Sequence, residues 1–153
     1  MWYFGDVADR GADTRTQAAE AERLRLSRVH LEAMVAHARA EAPNECCGVL
    51  AGRDGRVERV RPVANADRSP YTYRMDPHEL LRAYREADEE GLEVLGYYHS
   101  HPATPAVPSR TDVARAADPF AVYVIVSLAS EPPEVRAYRI LDGRYRELEL
   151  SVG

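Results

Sequence analysis

Residues 96–112 read GYYHSHPATPAVPSRTD, and the reading of this stretch decides the fold. The apolar run LEVLGYY, residues 92–98, ends in two histidines, His99 and His101, that flank one serine. Successive side chains on a strand point to opposite faces, so the two imidazoles share a face and Ser100 points behind them. The loop PATPAVP then carries three prolines and leads to Ser109 and Asp112, at the start of a helix over 109–117. Ser109 with an acid three residues on is a helix-capping pair, and an acid in the first turn also suits the helix dipole. Two imidazoles on one face, with a carboxylate arriving from the next element, can instead ligate one ion. Two His and one carboxylate with an open fourth position is the pattern of catalytic zinc, whereas closed structural sites favour thiolates. Nitrogen and oxygen donors favour Zn2+ without excluding other metals.

Working outward, the flanking sequence alternates helical and strand patterns. RLRLS, residues 23–27, reads as a short strand. Ser27 is an N-cap for a helix over 28–42, whose apolar positions are Val29, Ala33 and Ala36 together with Leu31, Met34, Val35 and Ala38. Pro43 and Asn44 end that helix. ECCGVLAG (45–52) reads as a buried strand, Asp54-Gly55 as a tight turn and RVERVRPV (56–63) as the return strand. ANADRSP (64–70) is a loop and YTYRM (71–75) a short strand. A helix follows with Asp76 as cap, Pro77 at its first position and Gly91 as its stop. Three further strands, 120–128, 134–141 and 144–152, complete the chain, the last two joined at Asp142-Gly143. The expectation is a single α/β (α+β) domain over 23–153: a mixed, mostly antiparallel sheet flanked by two or three helices, behind a flexible arm over 1–22.

Metal-assisted hydrolysis needs a proton acceptor that is not itself a ligand. Glu45, in PNECCGVL, is the candidate, because its strand would lie beside the histidine strand. Cys46 and Cys47 raise the rival of a thiol nucleophile, but both sit inside an apolar strand, and free cysteines are among the most buried residues. His30, His37 and His78 lie in helical segments without a partner at ligand spacing.

The order Glu45 … His99-x-His101-x(7)-Ser109-x(2)-Asp112 resembles the JAMM motif of the MPN-domain metalloproteases, the group that contains zinc deubiquitinases, at all five positions. PNECCGVLAG and GYYHSHP resemble the flanks of that motif, and the likeness runs from about residue 24 onward. Within the family, ANADRSPYTYRMDPHEL, VPSRTDV and RAYRILDG are similar to the bacterial enzymes of sulfur-carrier pathways. The resemblance implies one Zn2+ per chain held by His99, His101 and Asp112, with Glu45 as general base and Ser109 as oxyanion donor. It implies as substrate a ubiquitin-like sulfur-carrier protein, cut after its C-terminal Gly-Gly to release cysteine or a short peptide. Extended peptides commonly bind by adding a strand to a sheet edge, and such a mode is expected here for the tail. The alternatives are a deubiquitinase-like isopeptidase and a non-catalytic MPN scaffold. The connections look too short for the ubiquitin-gripping loops of the first. Scaffolds typically lack a ligand, and this chain lacks none.

The composition reads as that of an ordinary soluble globular protein. The chain has 153 residues, 45% hydrophobic and 29% charged, with a net charge of −5 and no basic stripe. That argues against nucleic acid as a partner. No run approaches the ~18 apolar residues of a membrane helix. The N-terminus lacks a basic region followed by an apolar one, so no signal peptide is expected. Two adjacent cysteines cannot form a disulfide framework, which fits a reducing cytoplasm. There is no lysine at all; every basic residue is Arg.

Overall fold

The computed structural model describes residues 22–153. The arm expected over 1–22 lies outside these apart from its last residue. Seven strands run in the order β1 (Arg23–Leu26), β2 (Cys47–Arg53), β3 (Arg56–Val63), β4 (Glu93–His101), β5 (Val122–Ser127), β6 (Glu134–Leu141) and β7 (Arg144–Val152). Three helices interrupt them: α1 (Arg28–Glu41), α2 (Pro77–Glu89) and α3 (Arg110–Arg115). The α+β class and the mixed sheet are as expected, but the sheet is not open. It closes as a barrel in the order β1-β3-β2-β4-β5-β6-β7. The closing strand β1 is parallel to β7 from Arg23↔Glu149 to Leu26↔Val152, and it meets β3 at Arg25↔Arg56. Closure removes the edges that an open sheet would present.

Alternation along the strands sorts apolar side chains between the two faces of the sheet. One holds Leu24, Leu26, Cys46, Leu50, Tyr98, Val122, Val124 and Val126, and α1 contributes Met34 and Ala38 to it. Of the two apolar sets read on this helix, Leu31, Met34, Val35 and Ala38 face the cluster, while Val29 is 72% exposed. Ser27 caps α1 in a reciprocal box with His30. The opposite face of the sheet carries Tyr97, Tyr123, Ile125 and Tyr138 under α3, and Val49 and Val63 under α2. The histidines lie on this second face.

The strand expected over 71–75 does not form. Only one isolated bridge, Asn65↔Met75, links the two ends of the connection 64–76. Side chains, Asn65 above all, take up several of its polar groups, so the β-propensity of two tyrosines and a threonine is overridden. The strand read from residue 45 also begins two residues later, at Cys47.

Candidate active site

Strand β4 lies between β2, antiparallel, with Cys47 opposite His99, and β5, parallel, with His99 opposite Ile125 and His101 opposite Ser127. His99 and His101 project from the same face and are buried, at 2% and 3% exposure. Ser100 turns the other way, and its Oγ accepts the Cys46 N–H at 2.8 Å. That N–H precedes the first ladder residue of β2, so the serine supplies the acceptor the sheet does not.

Helix α3 brings the carboxylate. Ser109 is its N-cap and Asp112 its third residue, and the two cap each other. Asp112 Oδ2 accepts the Ser109 N–H at 2.9 Å and also lies 2.9 Å from His101 Nε2 and 3.1 Å from His99 Nε2. The two Nε2 atoms are 3.2 Å apart. One oxygen therefore serves both helix cap and cluster, although the sequence suggested that capping and ligation compete. A carboxylate oxygen has lone pairs for both.

Several contacts fix the rings. His101 Nδ1 is 2.9 Å from the Pro105 carbonyl, which can only accept, so Nδ1 carries a proton and Nε2 is the nitrogen left to face the cluster. The Tyr73 ring stacks on His99 with centroids 4.4 Å apart and planes 24° apart. The loop 102–108 is held by more than its prolines. Three successive carbonyls, of Thr104, Pro105 and Ala106, accept from Ser127 Oγ, His101 Nδ1 and Tyr138 Oη on β5, β4 and β6.

The donor set fits a metal. Three ligand atoms lie within 4.8 Å of one another. Two donors ~2.0–2.1 Å from a tetrahedral zinc stand about 3.3 Å apart, close to the spacing observed. Burial pushes the Asp112 carboxyl up, but hydrogen bonds from His101 and His99 outweigh it and hold the group well below the usual carboxylate range. Burial pushes His99 down; on His101 it is outweighed by Asp112 and the Pro105 carbonyl, which raise that ring.

Glu45 lies just ahead of β2, 4% exposed, and its Oε1 has no hydrogen-bond partner. Burial raises its pKa to about 8, opposed by His101 and reinforced by Asp112. A buried carboxyl with a pKa near neutrality and no structural partner is poised to exchange a proton. Neither thiol is so poised. Cys46 and Cys47 are both buried, burial pushes their pKa values to about 11 and about 12, and Cys47 donates to the Val63 carbonyl. A thiol nucleophile is usually partly exposed with a depressed pKa, so these are structural.

Asn65, Tyr73 and Arg115 also belong to the site; Tyr73 is one of four tyrosines weighed for the tail channel, and Asn65 and Arg115 escaped the sequence reading. Asn65 is buried and bonds four main-chain groups around Glu45 and the 64–76 connection. Tyr73 covers His99. Arg115 on α3 reaches Tyr73 O at 2.9 Å and Asp67 Oδ2 at 3.0 Å. An asparagine between two alanines gives no periodic signal. The expected edge-added tail is also corrected: β2 and β5 occupy both sides of β4, so no strand can be added beside the histidines.

Among the described residues, no helix is long and apolar enough to cross a membrane. Residues 27–141 match the family model of prokaryotic homologs of the JAB domain. The chain is 48% identical over 125 residues to a CysO-cysteine peptidase of Mycobacterium tuberculosis, covering 80% of this chain and 86% of that one. It is 36% identical over 137 residues to a desampylase of Haloferax volcanii, covering 85% and 96%. The solution structure of protein DSY2949 from Desulfitobacterium hafniense is similar at a TM-score of 0.79 and 43% identity, covering 85% and 92%. With that match over most of its length, and a His-His-Asp cluster on the expected strand and helix, the chain belongs to the prokaryotic JAB family, the JAMM-type hydrolases of the MPN fold.

Proposed function

We propose that the protein is a zinc-dependent peptidase that hydrolyses the bond after the C-terminal Gly-Gly of a ubiquitin-like sulfur-carrier protein, releasing cysteine or a short peptide. The observation that carries the reading is the partnerless, buried carboxyl of Glu45 beside a three-donor cluster. The names of the relatives support the substrate class, since one is a CysO-cysteine peptidase and another a desampylase. Adjacent buried, free cysteines suit a reducing cytoplasm.

His99 Nε2, His101 Nε2 and Asp112 Oδ2 would hold one zinc per chain. Bound there, zinc supplies Lewis acidity, activating water and polarising the scissile carbonyl. Glu45 takes a proton from the attacking water and returns it to the leaving amine as the carbon–nitrogen bond breaks. In the metal-free site burial favours its protonated form, and a zinc ion beside it would favour the carboxylate that accepts the proton. The Ser109 hydroxyl already accepts the Asp112 N–H at 3.0 Å, which leaves its own proton for the carbonyl oxygen as charge develops there. Capping is therefore compatible with oxyanion stabilisation. The substrate tail would approach the cluster beside Ser109, and glycines suit that position because a β-carbon would crowd the approach of water.

The test is mass-spectrometric assay of purified protein on a carrier ending in Gly-Gly joined to cysteine. Release of cysteine that stops with chelator and returns with zinc supports the reading. Chelator-resistant release points to another mechanism, and preference for a ubiquitin dimer points to the isopeptidase branch.

A further inference from the structure

Glu45 must aim a long, flexible side chain, yet its buried Oε1 has no hydrogen-bond partner. Its direction therefore comes from its main chain. That main chain lies outside the sheet, because the β2 ladder starts at Cys47. Both of its polar groups are held by the connection 64–76 instead. The Glu45 N–H donates to the Ser69 carbonyl at 2.8 Å, and the Glu45 carbonyl accepts from Asn65 Nδ2 at 3.1 Å.

Asn65 holds the connection in shape as well. Its Nδ2 also donates to the Thr72 carbonyl at 3.0 Å, and its Oδ1 accepts the N–H groups of Asp67 and Arg74, each at 3.0 Å. Two N–H donors and two lone pairs are the full capacity of an amide side chain, and all four are used. The residue is buried, at 8% exposure. No other natural side chain of that length offers two donors and two acceptors.

We propose that Asn65 is a positioning residue for Glu45: it fixes the main chain from which the carboxyl is aimed, and it does so through the turn that supplies the Ser69 carbonyl. This rests on the peptidase reading for Glu45. A displacement of about 1 Å in such a group can cost a hundredfold in rate. Because Asn65 acts through Glu45, its loss costs nothing further once Glu45 cannot take a proton.

The experiment is a double-mutant cycle on the zinc-loaded full chain with the Gly-Gly–cysteine conjugate, using Asn65→Ala, Glu45→Gln and their combination. Asn65→Ala is expected to lower kcat about a hundredfold, with KM within threefold and zinc content unchanged. The double variant is expected to match Glu45→Gln within threefold. A single variant within threefold of wild type, or losses that multiply in the double variant, would overturn the proposal. Asn65→Asp keeps the shape and both acceptors but presents no donor to the Glu45 carbonyl, so it replaces Asn65→Ala in the cycle if the alanine variant does not fold. If wild type leaves the conjugate uncut, the peptidase reading fails, and amide exchange decides on Asn65. The Glu45 N–H is then expected to exchange at least tenfold faster in Asn65→Asp while the Val124 N–H in β5 is unchanged. Equal protection of Glu45 in both proteins would sink the positioning role.

Discussion

Ser109 and Asp112 cap each other across the first turn of α3, and the oxygen with which Asp112 closes that box is the one that faces both imidazoles. Helix start and donor cluster are thus one structure. An asparagine at 112 can still accept the Ser109 N–H but carries no charge for a cation. Asp112→Asn is expected to fold and bind zinc at least tenfold more weakly, read by competition with a chelating dye. Asp112→Ala should lose zinc and also about 1 kcal/mol of helix capping. Wild-type zinc affinity in either variant would remove Asp112 from the ligand set.

Glu45→Gln keeps the shape of the site but cannot take a proton. Zinc content is expected to stay at the wild-type level while kcat falls by a factor of about 10²–10⁴, the usual contribution of general acid–base catalysis. A variant with near-normal kcat would show that another group accepts the proton.

The same residue makes the metal-free protein sensitive to pH. Its folded pKa, about 8, is raised above the unfolded value, so the folded state binds the proton more tightly. The stability linked to that proton is present below the unfolded pKa of ~4.3 and is lost as pH rises toward 8. In chelated protein, the melting temperature of Glu45→Gln minus that of wild type should therefore grow between pH 5 and pH 8. A difference independent of pH would show that the carboxyl is not buried in its charged form.

Ser100 stands between the two histidines and takes no part in their cluster. Ser100→Ala leaves the buried Cys46 N–H without its acceptor, which costs about 1–3 kcal/mol. For a domain of this size that corresponds to a fall of roughly 2–12 °C in melting temperature. Zinc content and kcat are expected within a few-fold of wild type. Loss of zinc at unchanged stability would put Ser100 in the site.

A carrier ending in Gly-Ala should be cut at least tenfold more slowly than its Gly-Gly form, because the added β-carbon lies beside the attacking water. Equal rates in a side-by-side comparison would show that the tail does not pass close to the cluster.

The neighbourhood of His99, His101, Ser109 and Asp112 was legible because each step is local. Strand alternation puts the histidines on one face, and a capping pair puts the acid in the first turn of the following helix. Glu45 was legible at one remove, through the single inference that its segment lies beside β4. The rest was not local. Barrel closure joins residues 23–26 to 149–152, and no periodicity announces a pairing at that separation. YTYRM has the composition of a strand, but Asn65 takes the Thr72 carbonyl and the Arg74 N–H, and Arg115 takes the Tyr73 carbonyl. Arg115, Asp67 and Tyr73 meet across a gap between α3 and the connection 64–76, so neither partner's sequence signals the other.

Closure through β1 and β7 also sets an order of events during synthesis. The seam between Leu24 and Leu150 cannot form until β7 has left the ribosome, since its partners come from opposite ends of the domain. Until then Leu24 and Leu26, both 1% exposed in the finished fold, lack one of their neighbours. Pairings this distant in sequence are slow to form, and unpaired apolar strands are prone to aggregation while they wait. A nascent chain stalled before residue 149 should therefore be a chaperone client, although every residue of its donor cluster has already been made.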